Sequence, residues 1–245
     1  MILCDQHIHT TFSDGADTPE DIVLYAINMG LKRLGFSDHS YVAFDKKYSI
    51  TDFDGYVAEI NRLKEKYRDK IEILLGIEQD YYSGKPEYAF DYVIGSVHYI
   101  KCGQEYISVD HTPEILKHNV ERYFGGDIYA FCEKYYEMVA EIIEITNADI
   151  IGHFDLVSKF NENSELFDAQ NPRYVASYQA AADKLIKYGK PFEINTGAIS
   201  RGYRVTPYPS APVKKYIEEK GGSFIMSSDS HQKETLCFKF DEFNT

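Results

Sequence analysis

Seven short β-prone runs alternate with helical patterns along the 245 residues, and this alternation limits the fold more than any other feature. The runs are ILCDQHIH, RLGFSDH, IEILLGIE, FDYVIGSVH, ADIIGHFD, PFEINT and SFIMSSDSH. Between them lie stretches such as TPEDIVLYAINMG, DFDGYVAEINRLKEKY, VASYQAAADKLIKYG and PYPSAPVKKYIEEKG, with two helical stretches ending at VAEIIEITN. Strands joined through helices pair in parallel, so the pattern predicts a parallel sheet, either closed into a barrel or doubly wound. Barrels of this length commonly form one domain, and residues 1–245 are read as one. Thr18-Pro19-Glu20-Asp21 carries a capping hydroxyl, a proline suited to the first turn and acidic residues after it, while Gly30 and Gly189 suit helix ends. The long irregular stretches Tyr41 to Ser49, Asn161 to Asn171 and Ala198 to Pro209 are candidate substrate loops.

The polar residues gather at one end of this frame. If Ile2 to His9 is a strand, its period of two turns His7 and His9 to one face, with Asp5 behind them. Asp38 and His39 end the second run, Glu78 the third, His98 the fourth, His153 the fifth, and Asp229 with His231 the seventh. Parallel α/β folds build their sites at the carboxyl ends of strands. Taken singly, His98 or His153 reads equally well as a core histidine bonded to a carbonyl, but Glu78 closes an apolar run where a lone carboxylate is costly. Six histidines and several carboxylates meeting at one mouth are best explained by bound metal. His111 and His118, seven residues apart on one possible helix face, read as ordinary surface or loop histidines, and Asp110 as a solvated residue.

A net charge of −13 disfavours a long hold on a phosphate backbone, so no long nucleic acid is expected as a partner. It does not exclude a small phosphorylated substrate, because bound cations reverse the local sign. Cys4, Cys102, Cys132 and Cys237 form no C-x-x-C pair and read as reduced thiols. No basic segment followed by an apolar one opens the chain, and no apolar run reaches membrane length, so a cytoplasmic protein with no membrane partner is expected. The 21 tyrosines either line a pocket or pack, and for EKYYEMV packing is the expectation.

HIHTTFSDG, SDH, GIEQDY, GSVH, GHFD and SDSH, in this order, resemble the motifs of the polymerase and histidinol phosphatase (PHP) family over nearly the whole chain. FSDG, GIEQDY and EINTGAISRGYRVTPYPS are most similar to its histidinol-phosphate phosphatase branch. The resemblance implies a distorted seven-stranded (β/α) barrel, three divalent cations (zinc, manganese or iron) and hydrolysis of L-histidinol phosphate. By motif position, His7, His9, Glu78 and Asp229 would hold one metal, with Glu78 bridging to a second on His98 and His153. Asp14, His39 and His231 would hold the third, although many relatives have histidine at the place of Asp14. Such a site is expected to direct a metal-bridging hydroxide at phosphorus, with Asp229 orienting or deprotonating it, and His231, Asp38 or a metal-bound water protonating the leaving alkoxide. Arg201 and Arg204 of ISRGYR, with Lys159, are candidate phosphate clamps. Glu193, Asn195 and aromatic residues of the Tyr41 to Ser49 loop are candidates for the substrate's ammonium and imidazole. The rival readings are another phosphoesterase of the family, acting on phosphotyrosine proteins or nucleotides, and a catalytically silent metal-binding module.

Overall fold

The computed structural model describes residues 4–243. The first half carries strands β1 (Cys4–Asp5), β2 (Arg33–Phe36), β3 (Glu72–Asp80) and β4 (Tyr92–Ser96), with helices α1 (Pro19–Met29) and α2 (Phe53–Tyr67) between the first three. A hairpin, β5 (Tyr99–Cys102) and β6 (Glu105–Ser108), precedes helices α3 (Pro113–Phe124), α4 (Ile128–Val139) and α5 (Ile142–Thr146). Then come β7 (Ile150–Ile151), α6 (Pro172–Leu185), β8 (Phe192–Asn195), α7 (Gly197–Ser200), α8 (Ala211–Glu219), β9 (Phe224–Ser227) and α9 (Phe240–Phe243).

The seven expected strands form one sheet in the order β1-β2-β3-β4-β7-β8-β9, and every neighbouring pair is parallel. A parallel bridge between Ile8 and Ser230 joins the first strand's end to the last and closes the ring. His9 N donates to Ser230 O at 2.8 Å and Ser230 N to His7 O at 3.0 Å. Asp5 reinforces the seam, accepting from Ser228 N at 3.2 Å and Cys237 N at 2.9 Å. This is the distorted barrel that the motifs imply. The first strand pairs over less of its length than Ile2 to His9, since its ladder covers Cys4–Asp5 and then only Ile8; Ile2 and Leu3 lie outside the described residues.

Two apolar layers hold the helices to the ring. Ile22, Val23, Ala26, Ile60 and Leu63 of α1 and α2 pack on Leu34, Phe36, Ile73, Leu75 and Ile77. The second layer, under α3 to α8, includes Tyr135 and Tyr136 of EKYYEMV, each 1% exposed, which are core residues as expected. Inside the ring the Tyr92 side chain lies over Gly35 and Gly76, where a Cβ would stand 2.5 and 2.3 Å from it. Its hydroxyl donates to Gln6 O and Phe36 O. The boundary signals hold, with Thr18 Oγ1 accepting from Asp21 N and Gly30 and Gly189 in the left-handed region at φ 82° and 65°. Among the described residues, no helix is long and apolar enough to cross a membrane.

The β5–β6 hairpin departs from the expected run of helices after the fourth strand. YIKC and EYIS pair antiparallel around Gly103 at φ 65°, a turn that only four-residue alternation announces. The helical region also breaks twice rather than once, at Gly125-Gly126 and again between Ala140 and Glu141.

Candidate metal centre

All the anticipated ligand side chains converge at the carboxyl ends of the strands, with Glu78 at their centre. His39 Nδ1 stands 2.7 Å from Glu78 Oε2, His7 Nε2 3.4 Å and His9 Nε2 3.7 Å from the same oxygen. His153 Nε2 lies 2.9 Å and His98 Nε2 3.4 Å from Glu78 Oε1. Asp229 Oδ1 is 3.3 Å from His9 Nε2, and Asp14 bridges His231 Nε2 at 3.3 Å and His39 Nε2 at 3.7 Å.

Among the described residues, three groups have donor atoms that within each group lie within 4.8 Å of one another: His9, Asp14, His39 and His231; His7, His9 and Asp229; and His39, Glu78 and His98. Set beside the division that the resemblance implies, His7, His9 and Asp229 group without Glu78, His39 stands in place of His153 beside Glu78 and His98, and His9 joins Asp14, His39 and His231, while His153 reaches the cluster through Glu78. Local backbone serves this convergence. Asp229 adopts φ 49°, and Gly197 leaves room for it, since a Cβ there would lie 2.7 Å from Asp229 Cβ. Gly15 lets the turn carrying Asp14 fold over the strand end, where a Cβ would meet His9 O at 2.4 Å.

The residues fit cations on physical grounds. His7 Nε2, both ring nitrogens of His9, His153 Nδ1 and Glu78 Oε2 are buried without a hydrogen-bond partner, a costly state unless something coordinates them. Burial opposes charge on Glu78, yet His39, His7 and His98 hold its carboxyl well below the usual range. Burial likewise opposes charge on His7, but Glu193, Glu78 and Asp229 raise it well above an ordinary histidine. The His9 ring, buried and next to His231 and His39, is lowered to about 3 and stays neutral, the form that ligates metal.

A layer of carboxylates fixes the rings from behind. Glu193 Oε1 lies 2.6 Å from His7 Nδ1, and its Oε2 accepts from His153 N at 2.9 Å and Asn195 Nδ2 at 3.1 Å. Asp80 Oδ2 lies 3.2 Å from His98 Nδ1. Such partners set the ring orientation of metal-ligating histidines.

The cluster opens into a cavity of ≈ 450 Å³ whose lining includes Asp14, His39, His98, His153, Asp229 and His231. Arg201 and Lys159 also line it. Arg201 Nη2 donates to Asp229 Oδ2 at 3.1 Å, and Lys159 Nζ donates to Asp110 Oδ2 at 3.0 Å.

Several candidates stand elsewhere. Arg204 is buried and turned from the cavity, with its guanidinium on Ser158 Oγ at 2.8 Å and over the Tyr208 ring at 4.6 Å, so it braces the loop instead of meeting phosphate. Glu193 and Asn195 lie beneath the histidines, outside the lining, and orient ligands rather than touch substrate. Asp38 is sealed as well. It accepts from Thr10 N at 2.7 Å and Ser13 Oγ at 2.6 Å, pinning the turn before Asp14, and burial raises its carboxyl to about 6.

Other residues enter that the sequence reading set aside or missed. Asp110, expected to be solvated, is half-buried in the lining because Lys159 neutralises it. His111 lines the cavity from an exposed position and shares no helix with His118, since α3 begins at Pro113. Asp80 was legible, two residues after Glu78 on the same face of β3. Of the candidate loops, 41–49 supplies Val42, Asp45, Tyr48 and Ser49, and 198–209 supplies Arg201 and Tyr203. The 161–171 loop lines nothing, but Glu162 accepts from Val205 N and Thr206 N and steadies the arginine loop.

The model of the PHP domain matches residues 5–197. Two curated relatives are each named "Probable histidinol-phosphatase". That of Deinococcus radiodurans is 29% identical over 97% of this chain and 90% of its own length, and that of Schizosaccharomyces pombe 29% identical over 86% and 74%. In fold, the hisK protein of Listeria monocytogenes superposes with a TM-score of 0.84 at 20% identity, covering 98% of this chain and all of its own. The histidinol phosphate phosphatase of Lactococcus lactis, solved with zinc, L-histidinol and phosphate, gives 0.69 at 21% identity, covering 99% of this chain and 93% of its own. With the family's domain matched over well over half its length, and the same ring of strands, the chain belongs to the PHP family.

Proposed function

We propose that the protein hydrolyses a phosphate monoester, L-histidinol phosphate, to L-histidinol and inorganic phosphate. The observation that carries this is the buried set of unpartnered histidine and carboxylate atoms opening into a small cavity that also holds Arg201 and Lys159. The names of the relatives, and the ligands of the Lactococcus lactis enzyme, support the substrate. Three cations would be held by His7, His9 and Asp229, by Glu78, His98 and His153, and by Asp14, His39 and His231, with Glu78 shared between the first two. Bound divalent cations supply charge neutralisation at the phosphoryl oxygens and a lowered pKa for water. The mixed imidazole and carboxylate set suits zinc, manganese or iron.

The chain's own groups do the rest. Arg201, anchored on Asp229, keeps further N–H donors for phosphoryl oxygens, and Lys159 adds a second positive charge. Asp229 orients or accepts the proton of the attacking water. Of the candidates weighed for protonating the leaving alkoxide, Asp38 is sealed from the cavity and His231 would be engaged as a ligand, which favours water at the site as the donor. Because the ring closes only when Ser230, beyond the residues that the family's model matches, meets Ile8, we read the 245 residues as one catalytic unit. Four free cysteines fit a reducing, cytoplasmic setting.

The test is phosphate release by protein supplied with manganese or zinc, comparing histidinol phosphate with nucleotides, a phosphotyrosine peptide and sugar phosphates. The proposal expects kcat/KM at least about 100-fold higher for histidinol phosphate, lost on chelation and in His98→Ala. Similar slow turnover of every ester would overturn the substrate, and no turnover with metals bound would favour the silent module.

A further inference from the structure

The cavity must accept a phosphate dianion, yet part of its lining is acidic beyond anything the metal cluster uses. Asp110 brings its own counter-ion, the Lys159 ammonium at 3.0 Å. Asp45 does not. Its Oδ2 accepts from the neutral Tyr99 hydroxyl at 2.7 Å, and among the described residues no ion pair reaches it. The two lysines that follow it in sequence form no ion pair with it among the described residues; Lys46 Nζ stands 5.8 Å from the Tyr41 ring centroid and Lys47 Nζ 5.9 Å from that of Tyr48.

The loop that carries Asp45 is tied at its backbone and packed on the hairpin, while the Asp45 side chain is part-exposed. Asp45 N donates to Val42 O and Ser49 Oγ to Asp45 O, while Phe44 stacks on Tyr106 of the hairpin at 3.8 Å between centroids and 6° between planes. A carboxylate without a counter-ion, facing the same cavity as the phosphate, repels an ester that carries only negative charge. It favours one whose other end is positive. Tyr48 and Tyr99 beside it offer ring faces and edges to a planar or cationic group.

We propose that Asp45 is the specificity residue that receives the ammonium group of the substrate's leaving alcohol, so that the site selects phosphate esters with a cationic leaving group. This rests on the phosphatase reading above and replaces Glu193, which is committed to His7 and His153, as the carboxylate that recognises the cation.

The alternative role for Asp45 is to tether Tyr99 and so close the wall. Asp45→Asn separates the two, because the amide oxygen still accepts from Tyr99 while the charge is gone. The experiment measures kcat and KM of the metal-loaded wild type and Asp45→Asn on 3-aminopropyl phosphate and propyl phosphate, which differ by one ammonium, with histidinol phosphate alongside. The wild type is expected to prefer the amino ester by about tenfold or more, chiefly through KM, as one charge-assisted hydrogen bond provides. In Asp45→Asn that ratio collapses toward one, and KM for histidinol phosphate rises by a similar factor with kcat little changed. A ratio unaltered in the variant, or a wild type with no preference, overturns the proposal, and equal losses on both esters assign Asp45 to wall support instead. A cation preference that depends on Asp45, without turnover of histidinol phosphate, would overturn the proposed substrate and leave the role of Asp45 standing.

Discussion

At the scale of single residues, the cluster is organised by Glu78, whose two oxygens together face His7, His9, His39, His98 and His153. Replacing Glu78 by Gln removes the central charge and is expected to lower phosphate release at least ~100-fold, with a matching loss of bound metal measured by elemental analysis. Glu193 acts one step further out. Glu193→Gln keeps an acceptor for His7 but weakens the carboxylate that makes that ring a better donor, so metal affinity should fall by about 10–100-fold in a chelator competition, while the fold persists in circular dichroism. The ligands themselves were legible because each stands at a strand end in a chemically unusual residue type. The roles of Glu193, Asn195, Asp38 and Arg204 were not. A buried carboxylate behind a ligand and one facing substrate look alike in sequence, and which it becomes depends on side-chain direction a few ångströms above or below the cluster. Asp45 lies in a stretch that reads as a substrate loop, but its carboxylate did not stand out from the loop's aromatic residues, since its meaning comes from a cavity whose walls are distant in sequence.

At the scale of elements, the parallel ring was readable because each strand is a short apolar run ending in a polar site residue, and the crossover helices α1, α2 and α6 carry their own N-caps. Thr18→Ala tests one such local signal. It removes the hydroxyl that accepts from Asp21 N at the start of α1 and should cost about 1 kcal/mol in urea unfolding with activity retained, because α1 packs outside the ring, away from the cavity. The barrel interior makes a harsher demand. Gly76→Ala would place a Cβ 2.3 Å from the Tyr92 ring, which is held by two hydrogen bonds and has nowhere to retreat, so a destabilisation of about 1–3 kcal/mol is expected, read as a lowered Tm. The β5–β6 hairpin escaped the sequence reading for a physical reason. Its strands are four residues each, among helical patterns, and they pack through contacts distant in sequence, with Tyr106 on Phe44 and Tyr82 and with Ile100 and Ile107 in the core.

At the scale of the whole molecule, the ring and the metal centre are one mechanical problem. The ligands lie in or just after β1, β2, β3, β4, β7 and β9, so each cation would tie together strands that ladder hydrogen bonds, side-chain bonds such as those of Asp5 and Tyr92, and the apolar layers already hold. Without cations, the protein buries several carboxylates and histidines whose charges must balance one another, and five of their atoms have no hydrogen-bond partner. Metal binding only the folded ring therefore stabilises it by mass action, by about 2.7 kcal/mol for a single site at a free concentration 100 times Kd. Removing the metal with a chelator should lower Tm and abolish phosphate release together, and adding manganese or zinc back should restore both. The two readouts need not move in the same proportion. If the proposed positions fill with unequal affinity, stability recovers as the tightest fills, whereas turnover waits for the last. A metal titration followed at once by thermal melting and by phosphate release should therefore show the Tm rising before activity does, and coincident curves would instead mean that the cluster loads as a single cooperative unit.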